Sequence, residues 1–260
     1  MPTRTAELSR KGQTEYTGPD DKHIFHPAGS TMTTPDAQAL RWEKGVPVSG
    51  RFDDPYYSRE DGLAETRHVF LDGCRIRERL RPGFSIAELG FGTGLNFCAT
   101  LALWQQNAPP GSLFDYTAFE LYPMQAAEID RALAVWPELD AQRAQLVGAW
   151  QPNGGTMQIG PARLTLLTGD ARVQVPAWAG AADAWYLDGF APARNPQMWE
   201  APLLSAVGAA STQGCIAATY SVAGVVRRGL MAAGFDLERL TGYGRKREML
   251  RGLKTTQGPA

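Results

Sequence analysis

Short apolar runs alternate along the chain with stretches in which apolar residues recur every three or four positions. The first kind reads as buried strands, the second as helices with one buried face. Ser85 to Leu89 is an apolar run behind the breaker Pro82-Gly83, and a helix over Leu95 to Gln106 follows, ending before Pro109-Pro110-Gly111. Phe114 to Phe119 is a second strand with Glu120 at its tip. A helix over Met124 to Trp136 and a further helical stretch before Gly148 come next. Leu164-Thr165-Leu166-Leu167 is a third strand, closed by Gly169-Asp170-Ala171, and Ala184 to Leu187 is a fourth, ending in Asp188. Helix Trp199 to Ala210, strand Gly214 to Tyr220 and helix Val222 to Ala233 continue the alternation. A last pair of strands starts at Gly234-Phe235-Asp236 and includes Met249-Leu250. This order predicts an α/β fold with a mainly parallel sheet, helices on both faces and right-handed crossovers.

The remaining stretches divide the chain. Residues 1–34 are polar and broken by Gly18, Pro19, Pro27 and Gly29, which predicts a flexible tail, and residues 255–260 predict another. Between them lies one domain, 35–254, made of an N-terminal extension over 35–82 and a core over 83–254. In the extension, Ala37 to Val48 has irregular apolar spacing with Trp42 as an anchor, and Gly62 to Leu71 reads as a helix. Phe52-Asp53-Asp54-Pro55-Tyr56-Tyr57-Ser58 reads as a loop. Its acids and tyrosines either face a substrate or cap the helix and pack on the sheet.

Composition narrows the class. At 260 residues, 43% hydrophobic and 20% charged, the chain is long enough for one sizeable core. The net charge of −1 supplies no global pull toward nucleic acid, so any such binding needs a local basic patch. Cys74, Cys98 and Cys215 match no zinc spacing or disulfide framework and read as small buried hydrophobes. His23, His26 and His68 are too scattered for a metal site, so no metal is expected. No apolar run spans a membrane and no signal segment opens the chain, which points to the cytoplasm.

The chemistry concentrates at Glu88-Leu89-Gly90-Phe91-Gly92-Thr93-Gly94-Leu95-Asn96. An apolar strand runs into an acid, three alternate glycines make a tight turn, and a helix begins. Glycines there let the backbone take positive φ and approach a ligand, and the helix start presents free N–H groups. The pattern is G-x-G-x-G, not the G-x-G-x-x-G of dinucleotide binders. With its preceding acid it resembles motif I of the S-adenosylmethionine-dependent methyltransferases, which implies a Rossmann-like class I methyltransferase fold. The resemblance implies S-adenosylmethionine contacts from Glu88, Gly90, Phe91, Gly92, Thr93, Gly94 and Asn96. In open α/β sheets ligands lie beyond the carboxyl ends of the strands, and Glu88, Glu120, Asp170 and Asp188 each end a strand. Glu120 is the candidate for the ribose hydroxyls, since a carboxylate accepts two hydrogen bonds from a diol. Asp170 is a candidate for the adenine amino group, or caps the next helix, or both. Asp188 stands where this fold class places the methyl acceptor, which makes it the catalytic candidate and a cofactor neighbour.

Four stretches carry a more specific resemblance. They are Phe52 to Ser58 with Glu65 to Leu71, Glu88 to Phe97, Asp183 to Trp199, and Gly242 to Leu250. Together they resemble the methyltransferase domain of the MnmC family, in the family's order. Arg194 and His68 depart from the family pattern. The resemblance implies N-methylation of a 5-aminomethyl group on wobble uridine of tRNA, giving 5-methylaminomethyl-(2-thio)uridine, with the anticodon stem-loop as partner. Asp188 then binds and orients the amine and takes up charge developing on nitrogen. Tyr57 and Phe190 are candidates to stack on the flipped-out uracil, with Asp54 beside them, and Phe190 reads equally well as core. Arg194, Arg227, Arg228, Arg239, Arg245, Lys246, Arg247, Arg251 and Lys254 either form a phosphate-binding edge or a solvated basic face. Bifunctional members of the family continue into an FAD-dependent oxidase. No second nucleotide fingerprint follows Asp188, so no FAD is expected, and an oxidase domain or protein must supply the aminomethyl group. A small-molecule amine methyltransferase of the same fold, and a non-catalytic adenosine-ligand or tRNA-binding module, remain as alternatives.

Overall fold

Three short strands begin the part of the chain that the computed structural model describes, residues 40–255. The tails expected over 1–34 and 255–260 lie outside the described residues, apart from Thr255. β1 (Leu40–Glu43), β2 (Val46–Ser49) and β3 (Asp54–Pro55) pair antiparallel in a small sheet of their own. Lys44 and Gly45, both at positive φ, turn the first hairpin. Strands this short are too brief for a pattern of alternation to register, so the sequence reads as irregular here. The stretch expected as a loop thus contains β3. α1 (Gly62–Thr66) follows, capped by Asp61, whose carboxylate accepts from the Ala64 N–H at 2.9 Å. It continues as a π-helical turn over Arg67–Asp72, so the expected helix is present with a widened second half.

The main sheet then builds up with its helices. In order they are β4 (Phe84–Leu89), α2 (Leu95–Asn107), β5 (Phe114–Glu120), α3 (Ala126–Leu133), α4 (Asp140–Ala149) and β6 (Gly155–Ile159). β7 (Ala162–Thr168), α5 (Ala171–Ala177), β8 (Ala182–Leu187), α6 (Ala201–Ala209) and β9 (Ser211–Thr219) follow. α7 (Gly224–Ala232), β10 (Phe235–Thr241) and β11 (Glu248–Lys254) complete it. The eight strands lie in the order β10-β11-β9-β8-β4-β5-β7-β6. β7, β5, β4, β8 and β9 run parallel, and β6, β11 and β10 are antiparallel additions. β6 escapes sequence reading because its residues are mostly exposed, as an edge strand allows. The helix expected to Trp136 stops at Leu133, and Pro137 opens a separate 3₁₀ turn.

Strand alternation builds two apolar layers. Ile86, Ala184 and Tyr186 face α2, α3 and α4, with Phe97, Trp104 and Ile129 between them. Ala87, Leu89 and Trp185 face α5, α6 and α7, with Val175, Leu204 and Leu230. β4 has β5 on one side and β8 on the other, so the connections depart in opposite directions from it. That is the switch point at which open α/β sheets form a ligand crevice.

Candidate active site

At the carboxyl end of β4 the backbone turns through Gly90, Gly92 and Gly94 at φ of +82°, +54° and +75°. An L side chain is strained in this region. Space is tight as well: a Cβ on Gly94 would lie 2.8 Å from the end of Leu146, and one on Gly92 3.1 Å from the Tyr56 ring, so each neighbour would have to shift. Gly94 is the N-cap of α2, so the positive end of a 13-residue helix stands behind the turn. Glu120, at the tip of β5, locks onto it. Its Oε2 accepts from Gly92 N at 3.0 Å and its Oε1 from Tyr122 N at 2.8 Å.

The turn and Glu120 line a cavity of about 490 Å³, a size suited to a small-molecule ligand. Asp54, Glu65, Asp188, Phe190, Tyr220 and Lys246 line the same cavity. Asp188 Oδ1 accepts from Gly189 N at 2.8 Å, and Oδ2 accepts from Asn96 Nδ2 at 2.8 Å. Burial pushes the Asp188 carboxyl up to about 6, held there against the hydrogen bonds from Gly189 and Asn96 and the positive charge of Lys246. The loop after it is pinned from three sides. Asp54 Oδ2 accepts from Ala191 N at 3.0 Å, Trp199 Nε1 donates to Phe190 O at 3.0 Å, and the Tyr220 hydroxyl donates to Gly189 O. The Phe190 ring stacks on Phe52 at 4.8 Å and meets Tyr56 edge-on at 5.1 Å.

Beneath the turn lies Glu88, fully buried. Its Oε1 accepts from Asn96 Nδ2 at 2.7 Å and its Oε2 from the Tyr116 hydroxyl at 2.8 Å. The Asn96 amide therefore serves Glu88 and Asp188 together, and Thr66 fixes it by donating to its Oδ1 at 2.8 Å. Burial, then the nearby Asp188 charge, drives the Glu88 carboxyl well above the usual carboxylate range.

A family model described as S-adenosyl-L-methionine-dependent methyltransferase matches residues 137–255. The fold also superposes on the crystal structure of MnmC2 from Aquifex aeolicus with a TM-score of 0.64 at 24% identity, covering 86% of this chain and 72% of that one. The chain thus has the fold of the class I S-adenosylmethionine-dependent methyltransferases. Over 230 residues the chain is 44% identical to the tRNA 5-methylaminomethyl-2-thiouridine biosynthesis bifunctional protein MnmC of Methylobacillus flagellatus. That alignment covers 84% of the chain and 35% of the relative. The protein of the same name from Caulobacter vibrioides is 46% identical over 227 residues, covering 84% of the chain and 38% of the relative. The chain thus spans a little over a third of the length of these relatives, and the expected resemblance to the methyltransferase portion of MnmC is borne out.

The cofactor of this class fits the residues present. The three left-handed glycines leave the turn bare of side chains, and a Cβ on Gly90 would approach the Asp188 carbonyl at 3.4 Å and narrow the crevice between turn and loop. Gly90, Phe91, Gly92, Thr93, Asn96, Glu120, Asp170 and Asp188 line the cavity together, while Gly94 caps α2 behind it.

Other expectations change. The Glu88 carboxyl sits under the turn rather than on the cavity wall, because its strand position points into the sheet-helix layer with Tyr116. Asp170 lines the cavity, yet its carboxylate caps α5 through Arg172 N at 2.9 Å and is gripped by the Arg172 guanidinium at 2.6 Å. That pairing holds it below the usual carboxylate range. Tyr57 also lines the cavity, while its hydroxyl donates to Ala132 O at 3.1 Å and its ring meets Trp136 at 4.8 Å. Tyr56 takes the position over the turn, its ring 3.1 Å from where a Cβ on Gly92 would lie. Phe52, Glu65 and Tyr220 are cavity residues that the sequence did not single out, and Tyr56 is one that it left open between substrate and sheet. The signals available were a second aromatic beside Tyr57, a tyrosine closing a strand, and an acid on the helix flank.

The basic cluster separates. Arg239 pairs with Glu248, Arg251 donates to Gly73 O, and buried Lys254 donates to Ala233 O. Arg194 pairs with Asp53 at 3.3 Å on an exposed surface. Arg245 pairs with Glu60 and is 93% exposed, Lys246 pairs with Glu65, and Arg247 borders a shallower depression with Val222 and Glu248. Among the described residues no cluster of three or more His, Cys, Asp or Glu is placed to hold a metal ion, and no helix is long and apolar enough to cross a membrane.

Proposed function

We propose that this chain methylates the nitrogen of a 5-aminomethyl group on wobble uridine in tRNA, yielding 5-methylaminomethyl-(2-thio)uridine. The observation that carries the reading is one cavity shared by a left-handed glycine turn with its Glu120 and by a fixed carboxylate, Asp188, beside an aromatic face. S-adenosylmethionine supplies, when bound, a sulfonium methyl group open to attack by a neutral amine. The turn from Gly90 to Gly94 and Thr93 would hold it. Each Glu120 oxygen keeps a lone pair beyond its backbone hydrogen bond, and those are the acceptors for the ribose diol. Asp170 supports the same wall by fixing the corner at the start of α5.

An alkyl ammonium loses its proton near pH 10, roughly as Lys does. A carboxylate beside it favours the charged form, so Asp188 cannot act simply by deprotonating it. Its tasks are to bind and orient the amine and to balance charge as it grows on nitrogen. At neutral pH Asp188 is ionised, and with a pKa of about 6 it is a stronger base than an ordinary carboxylate. Holding the amine in line contributes most, since positioning is worth ~7–11 kcal/mol. The Phe52–Phe190–Tyr56 group offers the face on which an extruded uracil stacks. Arg245 and Arg247, on the exposed turn nearby, are the phosphate contacts, and Arg194 extends that rim. The wobble aminomethyl group is the product of an oxidase that removes a carboxymethyl group from the same nitrogen.

The test is mass spectrometry of nucleosides from tRNA bearing 5-aminomethyl-uridine, after incubation with the chain and S-adenosylmethionine. The expected result is one added methyl on that nucleoside, with the carboxymethylaminomethyl form unchanged. Methylation of free small amines without any change in tRNA would instead establish the small-molecule reading.

A further inference from the structure

Glu65, Tyr220 and Lys246 come from three separate elements and meet in the cavity that also holds Asp188. Glu65 lies on α1, Tyr220 just beyond β9, and Lys246 on the turn between β10 and β11. The Lys246 ammonium is 2.8 Å from Glu65 Oε1 and 3.7 Å from the centre of the Tyr220 ring. A carboxylate and an aromatic face are the two groups that bind an alkyl ammonium best. The Tyr220 ring is held in place by its hydroxyl, which donates to Gly189 O next to Asp188. Lys246 and Glu65 line the same cavity as Asp188 and act on its charge in opposite senses. Lys246 is itself a primary alkyl ammonium, the same chemical group as the acceptor. It is also the more exposed member of the ion pair: its side chain is 43% exposed while that of Glu65 is 12% exposed.

Resting on the amine-methylating reading above, we propose that Glu65 and the Tyr220 ring form the seat of the acceptor ammonium, and that Lys246 holds this seat until substrate displaces it. Glu65 then fixes the nitrogen beside Asp188 and selects a cationic amine over a hydroxyl or a neutral base edge. The released Lys246 stands beside Arg245 and Arg247, where an RNA phosphate is its natural counter-ion. The exchange costs little because one ammonium replaces another and neither carboxylate is left bare.

The experiment uses ethylammonium as the probe, with binding read by ligand-observed NMR on the full chain, and steady-state kinetics on aminomethyl-uridine tRNA. Lys246→Met empties the seat and should bind ethylammonium more tightly than wild type. Adding Glu65→Gln to it should abolish that binding. Glu65→Gln alone should raise KM for tRNA by roughly 10- to 100-fold, the effect of losing a charged hydrogen bond, with S-adenosylmethionine affinity unchanged. If Lys246→Met loses its native melting transition, Lys246→Gln replaces it. Ethylammonium binding that is absent from the Lys246 variant, or indifferent to Glu65, overturns the proposal and leaves a purely structural ion pair. Glu65-dependent ethylammonium binding in a chain that never methylates tRNA would uphold the seat and reject the tRNA reading.

Discussion

Replacing Asp188 by Asn should make this protein more stable at neutral pH while removing methyl transfer. The Asp188 carboxyl stands at about 6 in the fold against an ordinary 3.8, mainly because burial penalises its charge. The folded chain therefore holds an extra proton between those two values. Stability falls as pH rises from about 4 to about 6, and the full penalty persists above that. A gap of about 2 pH units corresponds to ~3 kcal/mol. Asn carries no charge, so it escapes the penalty. It does lose one hydrogen bond, because Asp188 accepts from Gly189 N and from Asn96 Nδ2 and the amide NH₂ cannot accept. That loss is ~1 kcal/mol, which leaves a net gain of ~1–2 kcal/mol at pH 7.5, with ~2–4 °C in Tm for each kcal/mol. Glu88, relieved of the Asp188 charge, contributes in the same direction. Urea melts of both proteins at pH 7.5 and pH 4.5, with kcat/KM on aminomethyl tRNA, form the assay. The gain should shrink toward zero at the lower pH, and kcat should collapse. A variant less stable than wild type at pH 7.5, or one with the same gain at both pH values, would refute the reasoning.

Three further outcomes follow from the geometry. Glu120→Ala should weaken S-adenosylmethionine binding by about tenfold or more, since it removes the diol acceptor and frees the Gly92 N–H; calorimetry measures this, and wild-type affinity would reject the ribose assignment. Tyr56→Leu should raise KM for tRNA by about tenfold, the scale of one lost stacking contact, with cofactor affinity little changed; equal loss of both would make Tyr56 a support of the turn alone. Arg247→Ala should flatten the salt dependence of tRNA binding by ~0.7–0.9 in slope if it meets one phosphate, as titrations at several salt concentrations would show; an unchanged slope would leave it facing solvent.

The parallel sheet, its helices and the glycine turn were legible in the sequence because their signals are local. Ile86 to Leu89 is apolar, Gly90, Gly92 and Gly94 alternate, and Glu120, Asp170 and Asp188 each close a run. Period and punctuation specify such elements, and the rule that ligands lie beyond strand ends converts them into a site. What the chain order cannot express is which way a side chain faces when two neighbours share a chemistry. Tyr56 and Tyr57 look alike in sequence, and only the packing of Tyr57 against Trp136 sends Tyr56 over the glycines. Asp170 reads as a ligand, a helix cap or both, and only the fold shows the cap and Arg172 closing on it; Glu88 reads as a ligand, and only the fold shows Asn96 and Tyr116 taking up its oxygens. Lys246 and Glu65 are 181 residues apart, so their pairing exists only once β11 has docked beside β9 and brought the preceding turn to α1. Backbone periodicity is written along the chain and determined the scaffold. Competition among buried polar groups for a limited set of partners is a property of three-dimensional proximity, and it alone decided which acids and aromatics remain available to a substrate.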